Sequence, residues 1–501
     1  MPEPEITEYF HSVHLLEDKC KGCVNCIKRC PTEAIRVRDG KAHIVEARCI
    51  DCGECVRICP NQAKTVVADC LARLSEFSFN VALPAPAIYS QFREGTQPER
   101  VIATLKAIGF DHVVDVAFGA DLVGQKIREA IEGPSTIRPL ISSACPAVVR
   151  LIQVRFPNLV EHVLPIITPM RAAAKLAKLQ VHHQFDVPNE RIGIWFITPC
   201  PGKVSAINEP AGYEDAIITG AIPISEVYPL LREKLLKDPQ EIERLTADLR
   251  RGTGMGIGWA RSGGENQSIN GGRQIAVDGI HSVIQILEDV ERGKLSDIDY
   301  IEAQACIGGC VGGVLTIENP FITRRRIRLL ANEDQGNGIE EHPELAGHGT
   351  EAEEHPELIE GRSEESPIDR IVAEVMANDD WFKHDIPLEP RPTLKLDDDM
   401  ATAMRKMDQM ARILDSLPGL DCGSCGAPNC QALAEDVVRG LATEMDCVFK
   451  LRERVRQLAS EMFELSEKVP PAMGHTEKKP VELNGIGEHS PTTGPETVDK
   501  E

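Results

Sequence analysis

From residue 79 to about residue 330 the chain alternates short apolar, β-branched runs with longer stretches whose apolar positions recur three or four apart. Residues 81–89, 112–117, 139–142, 192–197, 216–219 and 300–303 predict buried strands, and 98–110, 119–131, 147–163, 169–183, 225–237 and 281–295 predict helices. Such alternation predicts an α/β domain of parallel sheets flanked by helices. In sheets of that kind ligands gather beyond the carboxyl ends of the strands.

The flanks follow other patterns. Residues 1–78 carry closely spaced cysteines and little that could form a core. Residues 331–395 form an acidic linker in which Glu-Glu-His-Pro-Glu-Leu occurs twice, at 340–345 and 353–358, and whose composition cannot bury enough apolar surface to order itself. His342, His348 and His355 there read as solvated, with metal binding as the alternative, and 368–382 reads as a short helix docking on a neighbour. Residues 396–466 read as a small helical module: a helix with an acidic first turn at 396–399 and a stripe of Met400, Met404, Met407, Ile413, Leu414 and Leu417 expected to face a core. It stops at Pro418-Gly419, and a second helix is expected over 431–447. An amphipathic stretch over 450–465 would meet a partner or a second copy of the chain, or be a solvated face over a local core, and 467–501 reads as a disordered tail.

Composition narrows the class. A net charge of −23 over 501 residues disfavours nucleic acid or an anionic membrane surface, both of which need clustered Lys and Arg. No apolar run approaches the roughly 20 residues of a membrane span, and the first twenty residues show no signal-peptide core. The expectation is a cytoplasmic protein, whose seventeen cysteines then read as metal ligands before disulfides.

Sixteen of them fall into patterns. Cys20-x2-Cys23-x2-Cys26-x3-Cys30-Pro31 is repeated as Cys49-x2-Cys52-x2-Cys55-x3-Cys59-Pro60, the spacing of bacterial two-cluster ferredoxins, in which the fourth cysteine of each run serves the other cluster. Cys20, Cys23, Cys26 and Cys59 would hold one 4Fe-4S cluster, and Cys49, Cys52, Cys55 and Cys30 the second, in an α+β ferredoxin-like module. Two zinc ions, each held by a pair of C-x2-C hooks, are the alternative. Cys70 reads as a small buried hydrophobe. In the α/β region Cys145, Cys200 and Cys306 end predicted strands, and Cys310 follows among Gly308, Gly309, Gly312 and Gly313, whose N–H groups are expected to face a metal-bound anion. The run 252–258, rich in glycine, reads as a close-packed loop and not as a dinucleotide fingerprint.

The segments Ser-Ser-Ala144-Cys145-Pro, Thr198-Pro-Cys200-Pro-Gly-Lys203 and Glu302-Ala-Gln304-Ala-Cys306-x3-Cys310 resemble the three signature motifs of the iron-only (FeFe) hydrogenase catalytic domain. The resemblance implies a two-lobed hydrogenase-like domain and a hydrogen-binding cluster, a 4Fe-4S cube joined by a cysteine sulfur to a two-iron unit bearing CO, cyanide and an azadithiolate. By position Cys145, Cys200, Cys306 and Cys310 match the cube ligands, with Cys310 as the bridge, and Lys203 matches the lysine that bonds an iron cyanide. Ala85-Pro86-Ala87 resembles the turn that touches the other cyanide. The departures imply slow chemistry. Ala144 replaces the cysteine that passes protons, Thr198 and Gln304 replace methionines, and Lys126 and Ile127 replace two glutamates that begin a proton path, with Glu129 nearby but out of register. Ala144 and the lost carboxylates resemble the sensory branch of the family.

Cys422-x2-Cys425-x4-Cys430-x16-Cys447 resembles the small 4Fe-4S domain found at the carboxyl side of sensory-type hydrogenases and in corrinoid iron-sulfur proteins, with zinc as the alternative. The expectation is thus four clusters in a hydrogen-sensing or slow hydrogenase that passes electrons to a ferredoxin or other redox partner and a signal to a separate subunit. Two alternatives stand beside it: an electron-transfer subunit holding only the cube, and an active ferredoxin-linked hydrogenase with a bypass proton route.

Overall fold

A computed structural model describes residues 9–134, 137–246, 249–333, 367–391 and 395–468. The histidine-bearing linker and the expected tail from residue 469 lie outside the described residues. The chain divides into two compact units, 1–443 and 444–501.

The first unit begins with four short strands, β1 (Val13–Leu15), β2 (Ile35–Arg38), β3 (Lys41–Ile44) and β4 (Lys64–Val66), paired antiparallel as β1 with β4 and β2 with β3. Two five-residue helices, Asn25–Arg29 and Glu54–Ile58, carry Cys26 and Cys55. The core is small, centred on Ile27, Ile35, Ala42 and Ala63 with Cys20 and Cys26 among them, as expected of a module with too little apolar surface to fold on packing alone.

The α/β region holds two parallel sheets. β5 (Phe79–Pro84), β6 (His112–Val113), β8 (Ile192–Thr198) and β9 (Gly220–Pro223) form one in the order β6-β5-β8-β9; β7 (Leu140–Ile141), β10 (Gln274–Asp278) and β11 (Tyr300–Gln304) form the other in the order β10-β11-β7. The helices Val116–Glu132 and Pro169–Phe185 pack on each other beside the first sheet, and Ile280–Glu291 packs on the second. Fully buried Leu83, Phe196 and Ala221 in the first sheet with Leu176 on its helix, and Ile301 in the second with Val283 and Leu287 on its helix, show why these runs read as apolar.

Several boundaries differ from the sequence reading. The strand expected over 81–89 stops at Pro84, and Pro86, lacking an N–H, opens a 3-10 turn over Pro86–Gln91. The strand expected over 112–117 ends at Val113 because the Asp115 side chain accepts from Ala117 N and starts a helix. The strand expected at 216–219 lies at Gly220–Pro223, where the Gly220 Cα lets the Asp69 carboxylate approach and accept from Ala221 N. Strand β10 was not expected, because its half-buried alternation is weak beside the apolar runs. The helix expected over 147–163 ends at Arg155, and a separate 3-10 segment, Pro157–His162, follows Phe156. The 252–258 run holds a single helical turn, Gly254–Gly258, capped by Thr253; a Cβ on Gly252 or Gly256 would strike the Ala117 backbone, so its close packing is as expected.

Part of the expected linker belongs to this core. Helix Pro367–Met376 and the turn Asp379–Phe382 return to it: Ile371, Val375 and Phe382 share one buried cluster with Ile131, Leu140 and Met170. Ile167 N donates to Phe382 O, and His384 N to Pro165 O. Cys70 is exposed, immediately ahead of a 3-10 segment, and not a buried filler.

Helix Met400–Ser416, capped by Asp399, packs on helix Cys430–Val438. The expected methionine stripe faces outward, with Met400, Met404 and Met407 75, 62 and 59 % exposed, and only Ile413 and Leu417 reach the core. The second helix ends at Val438, short of residue 447, where Gly440 takes a left-handed φ of +74°. In the second unit the turn Glu444–Asp446 and helix Val448–Glu467 are described. Among the described residues no helix is long and apolar enough to cross a membrane.

Phe382, 1 % exposed in the shared cluster, tests whether the returning segment is part of the core. Phe382→Ala should cost about 3–5 kcal/mol, read as a lowered denaturation midpoint; an unchanged midpoint would show that the segment only rests on the surface.

Candidate metal centre

Three parallel strands deliver the cysteines. Cys145, a few residues past β7, precedes helix Pro146–Arg155; Cys200, two residues past β8, precedes helix Pro201–Asn208; Cys306 lies two residues past β11. All sit at carboxyl ends of strands, and the first two are followed by a proline at the first helical position, where its lack of an N–H forfeits no intrahelical bond. Cys310 opens the 3-10 turn Cys310–Gly312.

The four thiols lie within one another's field. Burial pushes Cys200 and Cys306 up and Cys310 up to about 12; the charge of Cys145 raises all three further, and Cys200 and Cys310 each raise Cys306. Burial opposes charge on Lys203 too, yet Cys310, Cys200 and Cys145 outweigh it and hold the lysine above its ordinary range. Lys203 Nζ donates to Ala144 O at 3.0 Å. A convergent set of thiolates with one buried cation is a donor set suited to a thiolate-ligated iron cluster carrying anionic ligands.

The glycines do a different task from the one expected. Gly308 N donates to Asp278 Oδ2, Gly309 N to Cys306 O, Gly312 N to Gly309 O and Gly313 N to Cys310 O, so these N–H groups close the turn on protein acceptors. Gly312 and Gly313 are glycine for space, since a Cβ would collide with Ile307 O and Pro199 O respectively, whereas Gly308 and Gly309 hold a φ of +82° and +93°.

Beside Cys145 and Cys310 lies an apolar cavity of ≈ 60 Å³, walled by Ala85, Pro86, Ala144, Met170, Phe196 and Trp259 among others, several times the ~10–15 Å³ that one water needs. Two buried polar atoms in its wall, Gln304 Oε1 and Trp259 Nε1, have no protein partner. Native interiors leave few such groups unpaired, so a bound group with a donor and an acceptor side fits there. Trp259 carried no signal in the sequence beyond its neighbouring glycines. Thr198 is fully buried, and its hydroxyl turns back to Cys200, donating to Cys200 O at 3.0 Å.

A second cavity of ≈ 70 Å³ shares Ala144, Met170 and Lys203 with the first. It is lined by Tyr213 and His384, whose OH and Nδ1 also lack protein partners. Ala144 thus stands at the junction of the two. Lys126, 9 % exposed, bonds Asp379 Oδ1 at 2.7 Å and Glu129 Oε2 at 2.9 Å and lies 5.7 Å over the Phe382 ring. The cation at this position is therefore bound to the returning segment, and Ile127 is buried core.

Two buried carboxyls stand near the site: Glu302 opens the third motif, whereas Glu265 escaped sequence reasoning because nothing local distinguishes it. Glu265 accepts from Ser142 Oγ at 2.8 Å and Tyr300 OH at 2.6 Å; Glu302 accepts from Gly263 N and Asn266 N. Burial raises both, and the charge of Glu265 raises Glu302 further.

The ferredoxin cysteines lie within one another's field. Burial raises Cys26, and Cys23, Cys59 and Cys20 act on it; burial raises Cys49, Cys52 and Cys55, Cys30 acts on each, and Cys26 also acts on Cys55. Cys52 also feels Cys306, Arg57 Nη2 donates to Gly312 O at 2.7 Å, and Gly53 abuts Val314 and Pro201, so the second set faces the Cys306–Cys310 turn. Among the described residues the trio of ligand atoms within 4.8 Å of one another is His11, Cys49 and Asp51, and it is an ion-pair network closed by Arg150 at 2.9 Å from Asp51. No three cysteine sulfurs there approach the roughly 3.8 Å spacing implied by Zn–S bonds of about 2.3 Å. Cys422, Cys425 and Cys430 lie on a loop and helix start in the first unit, and Cys447 in the second.

Comparison with known proteins agrees with this arrangement. Residues 78–271 match the family model of the iron only hydrogenase large subunit, C-terminal domain, residues 12–60 that of a 4Fe-4S dicluster domain, and residues 417–449 that of an Fe-S cluster family. Residues 78–271 are thus similar to the FeFe-hydrogenase large subunit, with matches to iron-sulfur families on either side. It is similar to the periplasmic Fe hydrogenase large subunit of Nitratidesulfovibrio vulgaris, 26 % identical over 62 % of this chain and 88 % of that one. It is also similar to the NADP-reducing hydrogenase subunit HndD of Solidesulfovibrio fructosivorans, 23 % identical over 49 % of this chain and 50 % of the relative. The chain thus spans about half of HndD, and the same share of iron hydrogenase 1 from Clostridium pasteurianum. Among solved structures, a variant of FeFe-hydrogenase HydA1 from Chlamydomonas reinhardtii aligns over 64 % of this chain and 99 % of its own, at 16 % identity and a TM-score of 0.44.

Two outcomes test the site. Gly312→Ala should break the turn and lower iron content by roughly four atoms per chain, the content of one cube, by colorimetric iron assay. A carboxyl raised in the folded state binds its proton more tightly there, so its contribution is full below the ordinary value of 4.5 and is lost as pH climbs through the raised one. Glu265→Gln should therefore flatten the fall in melting temperature between about pH 5 and pH 8; an unchanged slope would place the titration elsewhere.

Proposed function

We propose that this chain is a cytoplasmic multi-cluster redox protein whose hydrogenase-like site binds hydrogen and turns it over slowly, reporting hydrogen to a separate signalling or redox subunit. The observation that carries the reading is Ala144: a methyl group stands between two cavities where the family's proton-passing thiol would be. Lys126 and Ile127, one tied into an ion pair and one buried in core, offer no carboxylate upstream.

In this reading Cys145, Cys200, Cys306 and Cys310 would hold the cube, Cys310 would also serve the two-iron unit, and Lys203 would bond an anionic ligand of that unit. Such a unit, when bound, would supply the redox chemistry that takes H2 to two protons and two electrons. The apolar walls from Ala85 to Trp259 exclude water, and Gln304 and Trp259 offer an acceptor and a donor that orient what enters. No group at Ala144 can carry the proton away, and a relay of that kind contributes about 10²- to 10⁴-fold. Clusters held by the ferredoxin cysteines would take the two electrons singly, Cys422, Cys425, Cys430 and Cys447 would hold a fourth, and the exit would be to a redox protein or ferredoxin. The stripe of Leu451, Val455, Leu458 and Met462 on helix Val448–Glu467, all exposed, is the surface offered to another subunit or a second copy.

A second reading, an active hydrogenase with a bypass proton route, draws on the second cavity, where Tyr213 OH and His384 Nδ1 stand unpartnered beyond Ala144. Infrared spectra of protein loaded with the two-iron precursor should show CO and cyanide bands; their absence leaves a cube-only electron-transfer subunit. In loaded protein Ala144→Cys should raise hydrogen turnover by about 10²- to 10⁴-fold. Fast turnover without that change would establish the bypass.

A further inference from the structure

The loop carrying Cys422 and Cys425 is built into the ferredoxin module. Val37 N, on the free edge of β2, donates to Gly426 O at 2.8 Å, and Arg38 Nη1 donates to Cys425 O at 2.8 Å. Lys28, two residues after Cys26, donates from Nζ to Pro428 O at 2.7 Å and also to Asp421 O. Gly423 lies so close that a Cβ would be 3.2 to 3.6 Å from Lys28, Ile27 and Val24, and a Cβ on Gly426 would strike Val37 O. Val24, Ile27 and Lys28 belong to the loop and helix that bear Cys23 and Cys26.

The contact is locked by charge. Asp436 accepts from Arg36 Nε at 2.7 Å and Arg38 Nη2 at 2.9 Å; Asp436 and Arg36 are 4 and 7 % exposed. Arg48 pairs with Glu435, and Asn429 Nδ2 donates to Glu33 Oε1 at 2.7 Å. Removing one partner of a buried pair leaves an uncompensated charge, so the arrangement resists separation. A loosely tethered relay would need none of it.

The other end of the ferredoxin module faces the hydrogenase-like turn through Cys52, Gly53 and Arg57. Leu420, Asp421, Cys422 and Ser424 face solvent. We infer that the Cys422–Cys425–Cys430 module is the outer terminus of one linear electron chain, in which its cluster exchanges single electrons with the cluster beside Cys23 and Cys26, and that the exposed Cys422 loop is the port for a one-electron carrier protein. In the reducing direction the carrier is oxidised as this cluster is reduced, and each inner cluster is reduced in turn. The inference rests on the reading that these cysteines hold an iron-sulfur cluster.

The test uses full-length protein reconstituted with iron and sulfide. The double variant Cys422→Ala, Cys425→Ala should lose about four iron atoms, and the electron paramagnetic resonance of the remaining reduced clusters should sharpen as one spin–spin interaction disappears. Arg38→Ala should keep its iron but show weakened interaction. Reduction of the double variant by reduced two-cluster ferredoxin should slow at least about tenfold, a barrier change of about 1.4 kcal/mol, while reduction by dithionite stays fast. Unchanged iron in the double variant would overturn the cluster assignment itself. Lost iron with unchanged line shape, or an unchanged rate with ferredoxin, would overturn the series order while leaving the cluster assignment in place.

Discussion

Four half-buried thiols, Cys145, Cys200, Cys306 and Cys310, brought into one another's field set the terms for the rest of this molecule. Burial and the neighbouring thiols raise Cys200, Cys306 and Cys310 against ionisation; for Cys310 the shift from 9.0 to about 12 corresponds to about 4 kcal/mol. One lysine, Lys203, cannot balance four charges. A metal bound there would supply the compensating charge, and ligand binding and local folding would then be one process. The two parallel sheets are what make the convergence possible, since they bring three strand ends from distant parts of the chain to one place.

Around that centre, polarity is rationed. The cavity beside Cys145 and Cys310 is apolar except for Lys203, Gln304 and Trp259, and its neighbour adds Tyr213 and His384. The segment that supplies His384 also supplies Asp379 to Lys126 and Phe382 to the core. Lys126, Ile127 and the returning segment therefore form one packed unit, with an ion pair to Asp379 and the aliphatic and aromatic side chains of Ile127 and Phe382 in a shared core.

The iron-sulfur modules are not beads on a string. Cys52 and Arg57 meet the hydrogenase-like turn, and Lys28, Val37 and Arg38 meet the Cys422 loop. Backbone hydrogen bonds and a buried Arg36–Asp436–Arg38 network fix these contacts. Rigid spacing of this kind is what single-electron exchange between clusters requires.

The sequence by itself determined the cysteine groups and most strands of the parallel sheets, because ligand spacing and wholly apolar runs are local signals. It also marked Lys203 and Ala144, through motifs short enough to read directly. Only the tertiary structure decided what depends on residues far apart in the chain. It turned Met400, Met404 and Met407 outward, exposed Cys70, and spent the Gly308–Gly313 amides on the turn itself. It paired Lys126 with Asp379, brought Glu265 under Ser142 and Tyr300, and seated the Cys422 loop on β2. Periodicity shows that a face is apolar, but which surface covers it, and which partner a buried charge finds, is settled only when the chain has closed on itself.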